Sequence, residues 1–425
     1  MSDLTNVFTD IADAIRAKTQ TQITYKPVDM ASAIESISTG TASTAYCWKK
    51  GTEKFYFNFD KAVAEKSDFE NSKILVERFV EFQKQNSGVT AIINSSVYSA
   101  DVGLFVAIGN KKLLTSTNGI NWTDQTPSVL ANITMEQIIY LSNELKRFII
   151  VSSGGGAYLS RDGIAWERMS TGVSGYLYSL TYSETLNLVV AVGASGVILT
   201  SSDGGIHWDN QTSPVSTSLR SIIYSKRLNL FVVVGDGGTI LTSPDGINWT
   251  QQTNTNSTRL NSIAYNSELN LFVAVGGNSS SNPNTTVILT SSDGINWTEQ
   301  TSGVSNIAWL SIVYSSELNV FMAVGGSGAI LTSPDGINWT RQTSGVSSKL
   351  NSIVYSSELD LFIAVGESGV ILTSRINQKI ISNIQNYFGV VASYTKTSDS
   401  EFTISSSLQT GTFVRSANDD LDFWS

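Results

Sequence analysis

Between residues 80 and 374 the apolar positions come in short runs separated by polar turns, and one stretch shows the unit. Ser311–Ser315 reads S-I-V-Y-S, Asn319–Gly325 reads N-V-F-M-A-V-G, Gly328–Ser333 reads G-A-I-L-T-S, and Ile337–Thr343 reads I-N-W-T-R-Q-T. Each run is rich in β-branched and aromatic residues and ends in Gly, Ser, Asn or Asp, so the unit predicts a meander of four short antiparallel strands. It recurs about every 42 residues. Four short strands cannot bury their own apolar faces and must stack on copies of themselves. The repeats lack helical periodicity, which excludes a helical solenoid and leaves a radial arrangement of blades with short edges.

Copies of the second strand begin at Leu104, Arg147, Leu188, Leu230, Leu271, Val320 and Leu361, which predicts seven blades. The last copy has a third strand at Val370–Ser374, but Arg375, Ile376 and Asn377 then replace the expected turn. Its missing strand is expected at the other end of the chain, because Phe82–Val89 (F-Q-K-Q-N-S-G-V) aligns with Trp339–Val346 (W-T-R-Q-T-S-G-V). Residues around Val80–Asn86 are therefore expected to close the ring. The predicted fold class is all-β: a seven-bladed propeller of four-stranded antiparallel blades, with a short helical N-terminal segment and a small C-terminal β-like appendage. The expected organisation is a helical attachment segment at 1–37, a linker and β-like wrap at 38–79, the propeller at 80–374, and an appendage for oligomerisation or docking at 375–425.

Six tryptophans end nearly the same turn phrase, S-P-D-G-I-N-W in its cleanest copies: Trp122, Trp166, Trp208, Trp249, Trp297 and Trp339. The phrase carries Asn118 in its first copy and Asp162, Asp203, Asp245, Asp293 and Asp335 in the others. The Asp can accept N–H bonds within its own turn, the Gly supplies a positive φ, and the Trp can cover a blade junction. These carboxylates are dispersed one per blade, so they are assigned to the fold and not to a metal or to acid catalysis. The phrase resembles the Asp-box, or BNR, repeat, S-x-D-x-G-x-x-W. Ser201–Trp208 matches it in full, while copies such as Ser291–Trp297 are one residue shorter. The resemblance covers roughly residues 80–374 and implies the propeller fold. The Asp-box propellers include sialidases, other glycosidases, assembly factors and binding modules, so it leaves function open. A sialidase would need an arginine cluster, yet Arg147, Arg161, Arg168, Arg220, Arg227, Arg259 and Arg341 fall at unrelated repeat positions.

The N-terminus follows a different pattern. Leu4, Phe8, Ile11 and Ile15 have helical spacing, and Pro27 with Val28, Met30, Ile34 and Ile37 opens a second short amphipathic helix. The phrases at Ile11–Thr19 (I-A-D-A-I-R-A-K-T) and Lys26–Ile37 (K-P-V-D-M-A-S-A-I-E-S-I) resemble the N-terminal leader of tail and baseplate proteins in phages of Gram-positive bacteria. That resemblance covers about the first 37 residues. It implies a place in the virion, other tail or baseplate proteins as partners of the N-terminal helices, and a homo-oligomer. Two local helices packed on the propeller would give the same hydrophobic pattern.

The formal net charge is -9 and basic clusters are lacking, which argues against nucleic acid or an anionic membrane as partner. No apolar run approaches a transmembrane length, and Met1 is followed by polar residues and not by a secretory signal. Cys47 is the lone cysteine, so no intrachain disulfide forms; neither C-x-x-C nor paired histidines occur, and neither metal nor cofactor is expected. The single histidine, His207, stands where other blades have Asn248 and Asn338, and is read as a surface turn residue. No Ser-His-carboxylate or Cys-His set can be built, so no catalytic residue is expected and the protein is read as a non-enzyme. A glycosidase needs only two carboxylates.

Seven aligned positions at the start of the innermost strands ring the channel mouth: Asn94, Glu136, Tyr178, Arg220, Asn261, Leu310 and Asn351. Glu136, Tyr178 and Arg220 are consecutive around the ring, with Tyr176 and Trp309 close by. A carboxylate, aromatic faces and a guanidinium suit a saccharide or a peptide, and these five residues are the expected ligand-binding set. The Asp-Gly turns lie on the opposite face, and the insertion at Asn278–Thr286 decorates the mouth face. Residues and resemblance together predict a tail or baseplate receptor-binding protein that recognises a host cell-wall polysaccharide without hydrolysing it. The alternatives are a structural adaptor of the tail, a glycoside hydrolase acting on cell-wall or capsular polysaccharide, and an intracellular assembly factor.

Overall fold

The computed structural model describes residues 44–48, 54–59, 74–278, 285–382, 391–398, 401–406 and 410–416. The helices expected within 1–37 lie outside the described residues. Two compact units are distinguished, 80–376 and a second formed by 1–79 with 377–425.

The larger unit is a seven-bladed propeller with a four-stranded antiparallel sheet in each blade. Blades 1 to 6 span 93–124, 135–169, 177–211, 219–251, 260–299 and 309–342. Blade 6 is representative, with Trp309–Ser315 innermost, then Val320–Gly325, Ile330–Ser333 and the outer strand Thr340–Gln342. Blade 7 takes its first three strands from Leu350–Ser356, Leu361–Gly366 and Ile371–Ser382, and its outer strand from Ile74–Gln85. Gln85 there donates through Nε2 to Thr373 Oγ1 at 2.7 Å, as Gln342 does to Thr332 at 2.8 Å in blade 6. The aligned glutamines thus do the same work at opposite ends of the chain.

The second strands are almost wholly apolar because a blade is covered on both faces by its neighbours, so strand alternation disappears there. All six residues of Val320–Gly325 are buried. The core lies between blades: Val232 and Val234 of blade 4 pack on Ile263, Phe272 and Ala274 of blade 5. Ile93, Phe105 and Leu114 of blade 1 pack in the same way on Leu361, Ile363 and Ile371 of blade 7. The ring is therefore continuous through the junction of first and last blades.

The box turns lock these junctions. In blade 4, Ser243 Oγ donates to Asp245 Oδ1 at 2.9 Å, and the N–H groups of Ile247 and Asn248 reach the same oxygen at 2.9 and 2.8 Å. Trp249 Nε1 donates to the Gly246 carbonyl at 3.0 Å. Gly246 has φ +73°, and a Cβ there would stand 2.8 Å from Leu188 Cδ2 of blade 3, so the turn requires both the dihedral and the missing side chain. Asp162, Asp203, Asp293 and Asp335 accept equivalent pairs of N–H bonds, and so does Asn118. Burial alone would raise the carboxylate pKa values, but the bonds outweigh it and bring Asp203, Asp245 and Asp293 down to about 2. Blade 3 has the full-length box. Its extra Gly204 lies against the preceding blade where Arg147 replaces the usual leucine, and Arg147 Nη1 donates to the Gly204 carbonyl at 3.4 Å. His207 Nδ1 sits 2.6 Å from Asp203 Oδ2, in the place of Asn248 Nδ2, which donates to Asp245 Oδ2 at 2.8 Å.

The smaller unit is a five-stranded antiparallel sheet in the order Thr44–Trp48, Lys54–Phe59, Thr410–Ser416, Glu401–Ser406, Val391–Ser398. The stretch expected as a wrap and the stretch expected as an appendage thus share one sheet, with Phe57 opposite Phe413.

Candidate functional site

The mouth is built from seven bulges. In every blade the innermost strand slips by one residue against the second strand just after it begins, between Leu177 and Ser179 in blade 3 and between Leu219 and Ser221 in blade 4. The unpaired residues are Asn94, Glu136, Tyr178, Arg220, Asn261, Leu310 and Asn351. A bulged residue is released from the pleat and its side chain is re-aimed, here at the top of the channel. The loop after the second strand is pinned beside it: Ala194 N–H donates to the Tyr176 carbonyl at 2.8 Å, Asp236 N–H to Ser218 at 2.8 Å, and Gly277 N–H to Arg259 at 2.9 Å.

Three of the seven side chains are bound into the ring. Asn94 Nδ2 donates to the Met135 carbonyl at 2.9 Å, Asn261 Nδ2 to Trp309 at 2.8 Å, and Asn351 Nδ2 to Ile93 at 3.0 Å. Each amide therefore staples its blade to the next. Glu136, Tyr178 and Arg220, in blades 2 to 4, replace that amide, and two of them turn to each other: the Arg220 guanidinium carbon lies 4.3 Å from the Tyr178 ring centroid. Tyr176 stacks on Tyr178 with centroids 5.5 Å apart and is 49% exposed.

Two further residues complete the cluster. Asp236 receives both Arg220 Nε and Nη2 at 2.9 Å, a bidentate pairing that fixes the guanidinium plane over the tyrosine. Arg259 Nε approaches the same carboxylate at 2.8 Å. Burial pushes the Asp236 pKa up, but the two guanidiniums outweigh it and hold the group below its ordinary value. Two cations thus share one anion. Glu136 behaves oppositely: burial, only partly offset by the charge of Arg220, raises it from 4.5 to about 7. The cluster is net cationic while Glu136 is protonated and close to neutral once it ionises.

The structure brings Glu136, Tyr176, Tyr178 and Arg220 to one sector of the mouth, and it removes Trp309 from the set. Trp309 is 0% exposed and packs with Ile288, Phe321 and Leu331 between blades 5 and 6. It occupies the first position of its strand, where the other blades bury Leu177, Leu219, Leu260 or Leu350, so it is a core residue. Asp236 and Arg259 were missed by the sequence reading. The signal for Asp236 was present in its repeat column, where blades 3, 5 and 6 carry Ala194, Gly277 and Gly326 and the other acid is Glu367 of blade 7. Residues 279–284 of the expected mouth insertion lie outside the described residues. Among the described residues no group of His, Cys, Asp and Glu is arranged to hold a metal ion, and no helix is long and apolar enough to cross a membrane.

The propeller is similar to known proteins. Residues 239–375 match the family model described as Photosynthesis system II assembly factor YCF48. No match was found among curated proteins. Among solved structures, YCF48 from Cyanidioschyzon merolae is similar at 17% identity and a TM-score of 0.54, covering 69% of this chain and 98% of its own. YCF48 bound to D1 peptide gives 18% identity and a TM-score of 0.55, with 72% and 100% covered. Virginiamycin B lyase from Staphylococcus aureus gives 10% identity and a TM-score of 0.60, with 71% and 100% covered. At these identities the structural likeness is one of fold. The expectation of a phage tail or baseplate protein is overturned by the matched assembly-factor family, and the YCF48 structures agree with that correction. The virion location, the tail partners and homo-oligomer tied to them, and recognition of a host cell-wall polysaccharide fall with it. The phrases that suggested a tail protein lie in residues 1–37 of the sequence, outside the matched residues 239–375. What stands is a seven-bladed BNR-like β-propeller of which residues 239–375 match the model described as Photosynthesis system II assembly factor YCF48.

Proposed function

We propose that the chain is a non-catalytic propeller of the assembly-factor kind, which holds a polypeptide segment of a partner protein at the channel mouth. The observation that carries the reading is the interruption of the amide staples in three consecutive blades by a preorganised tyrosine–arginine cluster. Arg220 is fixed by Asp236 and Tyr178 and needs no reordering to bind, while Tyr176 presents an open ring face. An aromatic or aliphatic side chain against Tyr176 and a carboxylate toward Arg259 fit this surface. The match to an assembly-factor family, and the peptide complex of one fold relative, support the same reading. The carboxylates of the cluster favour binding over chemistry, because Asp236 is neutralised by two arginines and Glu136 has no second free acid to work with.

The test is titration of the full chain against an array of peptides graded in carboxylate and aromatic content. Saturable binding should weaken by about tenfold in Tyr176→Ala and in Arg259→Ala. Binding should also weaken as pH rises through about 7 and Glu136 ionises, and mass spectrometry should recover the peptides unchanged. Peptide binding that is indifferent to both substitutions, or any chemical conversion of the peptide, would sink the reading.

A further inference from the structure

The face opposite the mouth carries side chains that the box turns do not need. Each box places an isoleucine directly after its glycine: Ile120, Ile164, Ile206, Ile247, Ile295 and Ile337. The turn uses only the backbone N–H of these residues, as in Ile247 N–H to Asp245 Oδ1 at 2.9 Å. Their side chains remain between 39% and 51% exposed. The hairpins joining innermost to second strands emerge on the same face at smaller radius, and they expose Val102, Leu186 and Leu269. Among the described residues the other exposed large apolar side chains are Ile92, Val129 and Tyr176, all on the mouth side. The apolar surface is therefore concentrated on one face, as an outer ring of six isoleucines with three residues inside it.

That face is also anionic. The hairpin tips of six blades carry Asp101, Glu144, Glu184, Glu268, Glu317 and Glu358, all exposed. Fewer cations share the face: Lys146 and Arg161 of blade 2, and Lys226 and Arg227 of blade 4; Lys146 Nζ lies 3.4 Å from Asp101, Lys226 Nζ 3.5 Å from Glu184, and Arg227 Nη1 donates to the Ser267 carbonyl at 2.6 Å. The box carboxylates add to the field. An exposed apolar patch repeated around a ring marks a protein contact, and the sign of its surroundings selects the partner.

We propose that the Asp-box face is a second docking surface, for a protein partner whose contact surface sets lysines and arginines among aliphatic side chains. The inference goes beyond the mouth reading and does not depend on it. If both hold, the propeller can join two partners, one on each face.

The experiment uses the full chain and a synthetic amphipathic helix of leucine and lysine as probe. A leucine–glutamate helix, a serine–lysine helix and anionic phospholipid vesicles are the comparisons. The leucine–lysine helix should bind saturably and more weakly at high salt. Its affinity should fall by about tenfold in Ile164→Asn/Ile247→Asn/Ile337→Asn and, independently, in Glu144→Gln/Glu268→Gln. The second variant changes only exposed carboxylates, so it reads the surface even where the first disturbs folding. Absence of binding, equal binding of the leucine–glutamate helix, indifference to the carboxylate variant, or adsorption to anionic vesicles would overturn the proposal.

Discussion

The two ends of a blade obey different rules. At the box end, six turns repeat one set of bonds with so little variation that Asn118 stands in for Asp and still accepts the same pair of backbone N–H groups. At the mouth end, seven equivalent bulges hold five kinds of residue. The box can repeat because it always meets the same thing, the second strand of the preceding blade, as Gly246 meets Leu188 and Gly294 meets Leu230. The mouth amide repeats only where it reaches the next blade's carbonyl. Blades 2, 3, 4 and 6 give up that staple; blade 6 puts the apolar Leu310 there, whereas the Tyr178 and Arg220 of blades 3 and 4 contact each other. Repetition therefore marks a contact within the ring, and its interruption marks surface released for a partner. The box isoleucines are the exception that supports the second docking face, since they repeat while about half of each stays exposed.

The sharpest way to break the comparison is at the frame that carries the mouth. A Cβ on Gly276 would stand 2.0 Å from the Arg259 carbonyl oxygen, the acceptor of the Gly277 N–H. Gly276→Ala should destabilise the propeller by about 3 kcal/mol, read as a lower urea midpoint, and should displace Arg259 from Asp236.

Next comes the titration that distinguishes the two ends. Glu136 has its folded pKa raised from 4.5 to about 7, so the folded state holds a proton that the unfolded state releases. Its contribution to stability is greatest below 4.5 and is lost as pH rises through about 7. Glu136→Gln should remove that fall and leave the variant about 1–3 kcal/mol more stable than the parent at alkaline pH, measured by urea unfolding across the range. The box acids have the opposite sign. Asp203, Asp245 and Asp293 are lowered from 3.8 to about 2, so their contribution is complete above 3.8 and is lost as pH falls through about 2. Converting all three to Asn should flatten the acid limb of the stability profile.

Smaller effects sharpen the rule. Asp245→Ala strips the acceptor from Ile247, Asn248 and Ser243 and should cost about 1–2 kcal/mol of stability. Asp245→Asn should stay within about 0.5 kcal/mol, because blade 1 already uses Asn118. The smallest shift is expected for His207→Asn, which restores the residue that blades 4 to 6 carry at that point; a change above about 0.5 kcal/mol in thermal unfolding would show that His207 does more than close its turn.

Much of the frame was legible because a short-period pattern reports which side chains a strand buries. The expected starts of all seven second strands, from Leu104 to Leu361, are the observed ones, and the aligned Gln85 and Gln342 lie in equivalent outer strands. The site was legible only in part. Position counting found the seven mouth residues but not the bulge that turns them upward, and it placed Trp309 beside them although one step along the strand reverses a side chain from channel to core. The Asp236 bridge was invisible for a further reason, since its partners Arg220 and Arg259 belong to two successive blades and meet only when the blades stack.

The sequence by itself determined the number of blades, their strands and the chemistry of the turns, because alternation, Gly and Pro placement and Asp–N–H bonding act within a few residues of one another. Only the tertiary structure decided which side chains converge at the mouth and how the pKa values of Glu136 and Asp236 move. Those depend on burial and on charges brought together across blades: Glu136 is shifted by the company it keeps in the closed ring, not by its neighbours in the chain.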